Sequence, residues 1–530
     1  MTPKNGSTNV TLFLGIDCGT QSLKTIAWDP ESGQVIDSTQ VFYPLIAGLP
    51  PGHKEQHPQT WVDALRDCVA QLKNNQKAKL GEVGAIGVSG QQHGFVPLDS
   101  SHNVIRPAKL WCDTATEAEC SALLKAAGGL QAAVSETGNG IPAGFTISKV
   151  RWLRDHEPDH YRRLAHILLP HDYLNFYLTG QIAAECGDAS GTGFFQVRNR
   201  RWSENALRWI DPGTNLLEKL PLLIESNKPA GSLRGSLAAE WGMSKDTLVS
   251  SGGGDNMMGA VGTGNVADGV VTVSLGTSGT LYACASSPVI DPAAEIAAFC
   301  DSTGKWLPLA CTMNVTVATE MIRSSFFSTS DFKQFDAAIT DLPPGSHGLV
   351  LLPYLEGERM PNVPQGTGVL LGLRPATATA GHLARAAMEG VTLGLRYGLD
   401  RMRYLGIVPQ VIRLTGGGSK SRVWRQIVSD VFDAYVACPA EDEGAALGAA
   451  LQAYWMWQIE HGSGQSIGEI AARHVTLDPE SATGPDPRNR DCYAEVYELY
   501  LKFSELFWSD CAASSDSVFA RHRRFVEKYS

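Results

Sequence analysis

Apolar, β-rich stretches alternate with helical patterns along the chain, and twice such a stretch runs straight into a Gly-Thr pair. Thr11 to Ile16 is apolar and β-branched, which predicts a buried strand, and Gly19 marks the turn of a hairpin whose second arm is Leu23 to Trp28. Residues 269–283, GVVTVSLGTSGTLYA, repeat the device with Gly276 and Thr277 at the turn. Gly19 and Gly276 lie 257 positions apart in a chain of 530, close to half, so the pattern predicts two related domains, each opening on a strand, Gly-Thr turn and strand. Further strands are expected at 83–91, running into a loop, at 166–180, followed by a helix, and at 411–432, where a Gly-rich loop precedes a helix. In that last helix Trp424, Val428 and Phe432, with Val423, Ile427 and Val431, make one wide apolar stripe. The class is α/β.

Glycine at four-residue spacing marks two other helices, at Gly390, Gly394 and Gly398 and at Gly444 and Gly448. Each interior glycine costs a helix about 1 kcal/mol relative to alanine, so close backbone packing is expected to compensate. The domain boundary is placed at 254/255, after the Gly252–Gly254 run, which suits a hinge and a close-approach surface. Residues 462–490, rich in Gly, Ser, Pro and charge, read as loop, and the helical spacing of YAEVYELYLKFSELF is expected to end the chain.

Candidate chemistry gathers at these turns. Gly19 allows close backbone approach, while the Thr20 hydroxyl and turn N–H groups can donate to an anion. Two such hairpins facing each other would hold a polyphosphate from both sides. Asp17 suits a magnesium ion or a positioned water. The Gly416–Gly418 loop can flank an adenine and ribose, or be a plain strand-to-helix turn. In SGQQHG, Gln91, Gln92 and His93 can bond the hydroxyls of a polyol. Asp255, placed by the glycine run, can accept the proton of a hydroxyl attacking a γ-phosphate, and can equally cap a helix starting at Asn256. There is no G-x-x-x-x-G-K-[ST], G-x-S-x-G or His-Glu-x-x-His, which leaves P-loop NTPase, α/β-hydrolase and zincin readings unsupported.

The formal net charge of −11, without a basic run, argues against nucleic acid or an anionic membrane as the main partner. Eleven scattered cysteines without Cys-x-x-Cys read as reduced and metal-poor, and Cys18 as a small strand-end residue. MTPKNGSTNV lacks a signal-peptide core and no stretch approaches 18 apolar residues, so a cytoplasmic protein is expected.

These residues together resemble the FGGY family of carbohydrate kinases over about residues 11–455. GIDCGTQSLK and TVSLGTSGT are similar to its two phosphate motifs, GGGDNMMGAVGTG and DEGAALGAA to its connecting helices, and LTGGGSKSRVWRQIVSDV to its adenosine motif. GFTISKVRWLRDH and GVLLGLRPATATAGHLARAAMEG resemble its two recognition stretches. The resemblance implies a two-domain, actin-like ATPase fold of the ribonuclease H-like type, with ATP, Mg²⁺ and a small sugar in a central cleft. It implies Asp255 as catalytic base; Asp17, Gly19, Thr20, Gln21, Gly276 and Thr277 at the phosphates; and Gly416, Gly417 and Gly418 at the adenosine. It places Gln92, His93, Trp111, Asp113, Asp255 and Asn256 on the sugar, and Mg²⁺ at Asp17 and Asp255 through water. GQQHG, LLPHDYL, GDASGT and LLPYLEGER look like the branch acting on D-xylulose, which implies phosphorylation of a ketopentose at its terminal hydroxyl. The alternatives are another polyol (ribulose, another ketose, an alditol or glycerol) and, in a different class, an actin- or Hsp70-like ATPase switch. A homodimer is compatible. Three positions depart from the family pattern: Ala115 where arginine often follows Trp-x-Asp, Ser148 where proline often precedes the lysine, and Met360 where threonine commonly follows Gly-Glu-Arg.

Overall fold

Both predicted hairpins form, and each lies inside its own sheet. The computed structural model describes residues 11–327, 332–441, 444–511 and 517–529. The first hairpin pairs Leu12–Cys18 with Ser22–Asp29, in antiparallel register from Phe13 opposite Trp28 to Cys18 opposite Leu23. Gln34–Phe42 extends it on one side, and Val83–Gly90 lies parallel to Leu12–Cys18 on the other. Leu248–Ser250 and Pro229–Ser232 complete that edge, and Gly253–Gly254 also pairs with Val83–Gly90. The second hairpin, Val270–Leu275 with Gly279–Ala283, is flanked by Leu309–Thr312 and by the parallel strands Val411–Thr415 and Val436–Ala437. The two sheets therefore share one order, a three-stranded antiparallel meander followed by parallel strands, and in that repeat Asp17 corresponds to Ser274. Ligand pockets form preferentially at domain interfaces, so the junction of the two units is where a site is sought.

The glycine-spaced helices explain how the halves are joined. Gly444–Glu460 packs its backbone directly on its neighbours. A Cβ on Gly448 would overlap the Met258 carbonyl, one on Gly262 the Gly444 carbonyl, and ones on Gly15 and Gly87 the carbonyls of Ala446 and Ala449. One helix thus brings its main chain directly against both Leu12–Cys18 and Val83–Gly90 of the first sheet and the Asp255–Gly262 helix, and this contact offsets the glycine penalty. Gly390 likewise abuts the Leu351 backbone and Gly398 the Met360 side chain. The stripe of Arg422–Phe432 buries Trp424, Ile427, Val428, Val431 and Phe432. The first two residues of the DEGAALGAA motif, Asp442 and Glu443, and the N-terminal MTPKNGSTNV lie outside the described residues.

Two expectations are corrected. The 462–490 segment contains a helix, Ile467–His474, started by a Ser466–Glu469 capping box and burying Ile467, Ile470 and Ala471. Its apolar spacing was masked by flanking Gly, Ser and Pro. The helix Arg490–Cys511 is present, but Val518–Tyr529 follows it. No helix among the described residues is long and apolar enough to cross a membrane. The ten cysteines with described side chains are free thiols, and burial pushes the Cys18 thiol up to about 12, consistent with a packed, unreactive residue.

Candidate active site

Asp255 stands at the first position of its helix, one residue later than a cap; Gly254, extended, occupies the cap position. Its Oδ1 accepts from the Asn256 backbone N–H at 2.8 Å and from Asn256 Nδ2 at 3.0 Å. Both bonds fall on one oxygen, so Oδ2 is the one able to take a proton from a ligand. Burial, then the neighbouring carboxylates of Asp17 and Asp188, push the Asp255 carboxyl up to about 8. Carboxylates converging this way form a site that a cation would relieve. Asp17 is oriented by Ser89, whose Oγ donates to Oδ1 at 2.8 Å from the adjacent parallel strand, in direct register.

The glycine run before Asp255 is a close-approach surface. Gly252 has φ 69°, and a Cβ on Gly254 would strike the Gln92 side chain. Gln92 Oε1 in turn accepts from Asn256 Nδ2 at 2.6 Å. His93, next along, holds φ 61°, a left-handed conformation costing about 1–3 kcal/mol in a non-glycine residue. Its ring packs against Phe145 and Phe299, with centroids at 5.0 and 5.3 Å. Burial, with Lys149 and Arg359 nearby, keeps the imidazole well below its usual range, hence neutral. Lys149 Nζ donates to the His93 carbonyl at 2.7 Å, and burial lowers its own pKa to about 7.

Two expected sugar contacts turn elsewhere. Gln91 faces the first hairpin: its N–H donates to the Cys18 carbonyl and its Oε1 accepts from Thr20 Oγ1 at 3.1 Å. Asp113 is buried, with one oxygen taken by Lys109 Nζ at 3.0 Å and the Lys54 N–H at 2.9 Å, and the other by the Ala115 N–H. It anchors the Trp111 loop and is not presented to a ligand. His53, Glu55 and Asp113 cluster closely enough to suggest a cation, and Lys109 supplies that charge, 3.1 Å from Glu55. Trp111 does reach the site's wall: Nε1 donates to Thr20 Oγ1 at 3.0 Å, and Arg359, from the second half of the chain, lies 5.6 Å from its ring centroid. Ser148 donates within the Phe145 and Ala143 carbonyl cluster and lies 2.9 Å from Thr116 Oγ1, contacts that a proline there would lack.

From Asp255 a cavity of 260 Å³ runs over the second sheet to the glycine loop, lined by Asn256, Ser274, Thr280, Thr415, Gly416 and Ser419 among others, all from residue 255 onward. Gly416, at φ 82°, lies against the Leu275 and Gly276 backbone, and Gly417 faces open space. Gly418 is buried, and a Cβ there would meet Leu275 and Trp424, so its lack of a side chain serves packing. Gly19 and Thr20 are half-buried and Gln21 is exposed; at the second turn Thr277 is exposed, and its carbonyl and that of Gly276 accept from Val315 and Thr316. Sequence reasoning assigned no role to Ser89, Lys149, Asp188 or Arg359. Each lies in or beside a motif it had singled out, which is the signal that was available.

The chain matches the model of the FGGY family of carbohydrate kinases, N-terminal domain, over residues 12–262 and that of the C-terminal domain over 271–457. It is 40% identical over 494 residues to a xylulose kinase of Haemophilus influenzae, covering 92% of this chain and 99% of that one. A crystal structure of a xyloylose kinase from Brucella ovis superimposes with a TM-score of 0.86 at 30% identity, covering 93% and 99% of the two chains. A gluconate kinase from Lactobacillus acidophilus gives 0.86 at 23% identity over 94% and 98%, which speaks to the shared two-domain actin-like fold alone. With two consecutive family domains covering most of its length and a strand order repeated in its two sheets, this chain belongs to the FGGY family of carbohydrate kinases.

Proposed function

We propose that this kinase, whose family takes ATP as co-substrate, phosphorylates D-xylulose at its terminal hydroxyl, giving D-xylulose 5-phosphate and ADP. The observation that carries the reading is the meeting of Gln92, Asn256 and Asp255 in one hydrogen-bonded chain, with His93 beside it, at the end of the cavity leading to the Gly416 loop. The 40% identical relative supports D-xylulose over other polyols. We take residues 1–254 and 255–530 as the two lobes, a division supported by the separate sheets.

In this reading Asp255 Oδ2 accepts the hydroxyl proton as the oxygen attacks the γ-phosphorus and the bond to ADP breaks. Asn256 holds the carboxylate in place, and Gln92 holds Asn256. Thr277, and Thr20 on exchanging Gln91 Oε1 for phosphate, donate to phosphate oxygens, while Gly416 and Gly417 border the adenosine. Mg²⁺ bound by Asp17 and Asp255 through water would neutralise phosphate charge; the two converging carboxylates fit such a cation. Ser89 keeps Asp17 aimed at it.

The test is ADP release with Mg-ATP across D-xylulose, D-ribulose, L-ribulose, xylitol and glycerol. The highest kcat/KM is expected on D-xylulose, with little hydrolysis in its absence. Preference for another polyol would overturn the substrate, and sugar-independent hydrolysis alone would favour an ATPase switch.

A further inference from the structure

LLPHDYL and GDASGT, whose residues have no assigned role, meet His93 of GQQHG in one buried cluster. Glu185 starts the Cys186–Ala189 turn by accepting from the Gly187 and Asp188 N–H groups, both at 2.6 Å, and this fixes the Asp188 backbone. Asp188 Oδ2 lies 2.7 Å from His171 Nδ1, while its Oδ1 faces His93 Nδ1 at 4.0 Å. Those last two atoms are buried and have no hydrogen-bond partner among the described residues. Leaving both unsatisfied is costly, which favours their pairing. The ring's seat is close: it packs against Phe145 and Phe299, which also touch each other, and a Cβ on Gly191 would overlap its Cε1 and Nδ1.

We propose that Asp188 is a positioning residue for sugar binding: held by His171, it turns His93 Nδ1 toward itself and so presents Nε2, in one tautomer, to a ketose hydroxyl. The inference rests on the reading that His93 touches the ketose. Because a neutral imidazole has one donor and one acceptor nitrogen, fixing Nδ1 decides what Nε2 offers. Gly191 is part of the same seat, since any side chain there displaces the ring.

The experiment is a double-mutant cycle of Asp188→Asn and His93→Ala, read as KM for D-xylulose and KM for ATP with the whole enzyme. Asp188→Asn is expected to raise the ketose KM at least about tenfold and leave the ATP KM within about twofold, and in the His93→Ala background to add nothing further. Additive effects, or an equal rise in both KM values, would overturn the proposal as a merely structural effect. If His93→Ala leaves the ketose KM unchanged, the sugar-ligand reading of His93 fails and the proposal with it. A raised KM in His93→Ala beside a wild-type KM in Asp188→Asn overturns the role of Asp188 alone. Should Asp188→Asn not fold, Gly191→Ala displaces the same ring with Asp188 intact; it is expected to raise the ketose KM similarly, and wild-type kinetics would overturn the seat.

Discussion

Replacing Asp255 with Asn is expected to lower kcat about 10²- to 10⁴-fold while ADP still binds, because the amide keeps the shape and the Asn256 contact but accepts no proton. The base works only when ionised. In the free enzyme its carboxyl titrates near 8, so kcat/KM is expected to rise with pH through that region. Bound cation favours the charged form, so the corresponding limb of kcat should lie at lower pH. The same shift has a stability consequence of opposite sign. Asp255 binds its proton more tightly folded than unfolded, so between its ordinary value of 3.8 and about 8 its ionisation progressively destabilises the fold. An uncharged amide at this position carries no such penalty: Asp255→Asn should melt higher than wild type at pH 8, with the gain shrinking toward pH 4. Thermal unfolding in the absence of nucleotide and metal checks this, and an equal melting temperature across that range would remove the buried-carboxylate explanation. A variant with near wild-type kcat would remove the base assignment.

The second large effect is on the helix that joins the halves. Gly448→Val places three carbons where the Met258 main chain already lies, and backbone cannot move aside as a flexible side chain can. Destabilisation above about 4 kcal/mol is expected, at the far end of single-substitution effects. Activity should fall with it, since the displaced Asp255–Gly262 helix carries the proposed base. Gly444→Ala is the control: its Cβ would meet nothing nearer than Thr263 Cγ2 at 3.9 Å, so its melting temperature should stay near wild type. Similar melting temperatures for the two variants would show that the helix contact is looser than these backbone distances require.

Much of the frame was legible along the chain because it depends on local rules. Alternating burial and a Gly-Thr turn specify each hairpin, and their repetition half a chain apart announced the doubled fold. The stripe on Arg422–Phe432 and the glycine spacing of Gly444 and Gly448 likewise follow from helical period and close approach. Where local signals competed, reading failed: the Ser466–Glu469 cap was outweighed by surrounding Gly, Ser and Pro, and Val518–Tyr529 follows a helix taken as the last.

Asp113 and Gln91 show the other boundary. Their residue types suit a sugar ligand, and adjacent motifs put them near one, yet Lys109 and two backbone N–H groups occupy Asp113, while the first hairpin holds Gln91. The partner that wins a polar side chain sits on a distant segment, so sequence alone names candidates and only packing chooses among them. The same holds for Asp188, whose meaning appears once His171 and His93 are brought to either side of it from 17 and 95 residues away. Strand pairing, turn chemistry and family membership were thus determined by the sequence itself. Which carboxylate stays available, which is tied down and which orients a neighbour were decided by tertiary structure, because burial and charge neighbours are set by residues far apart along the chain.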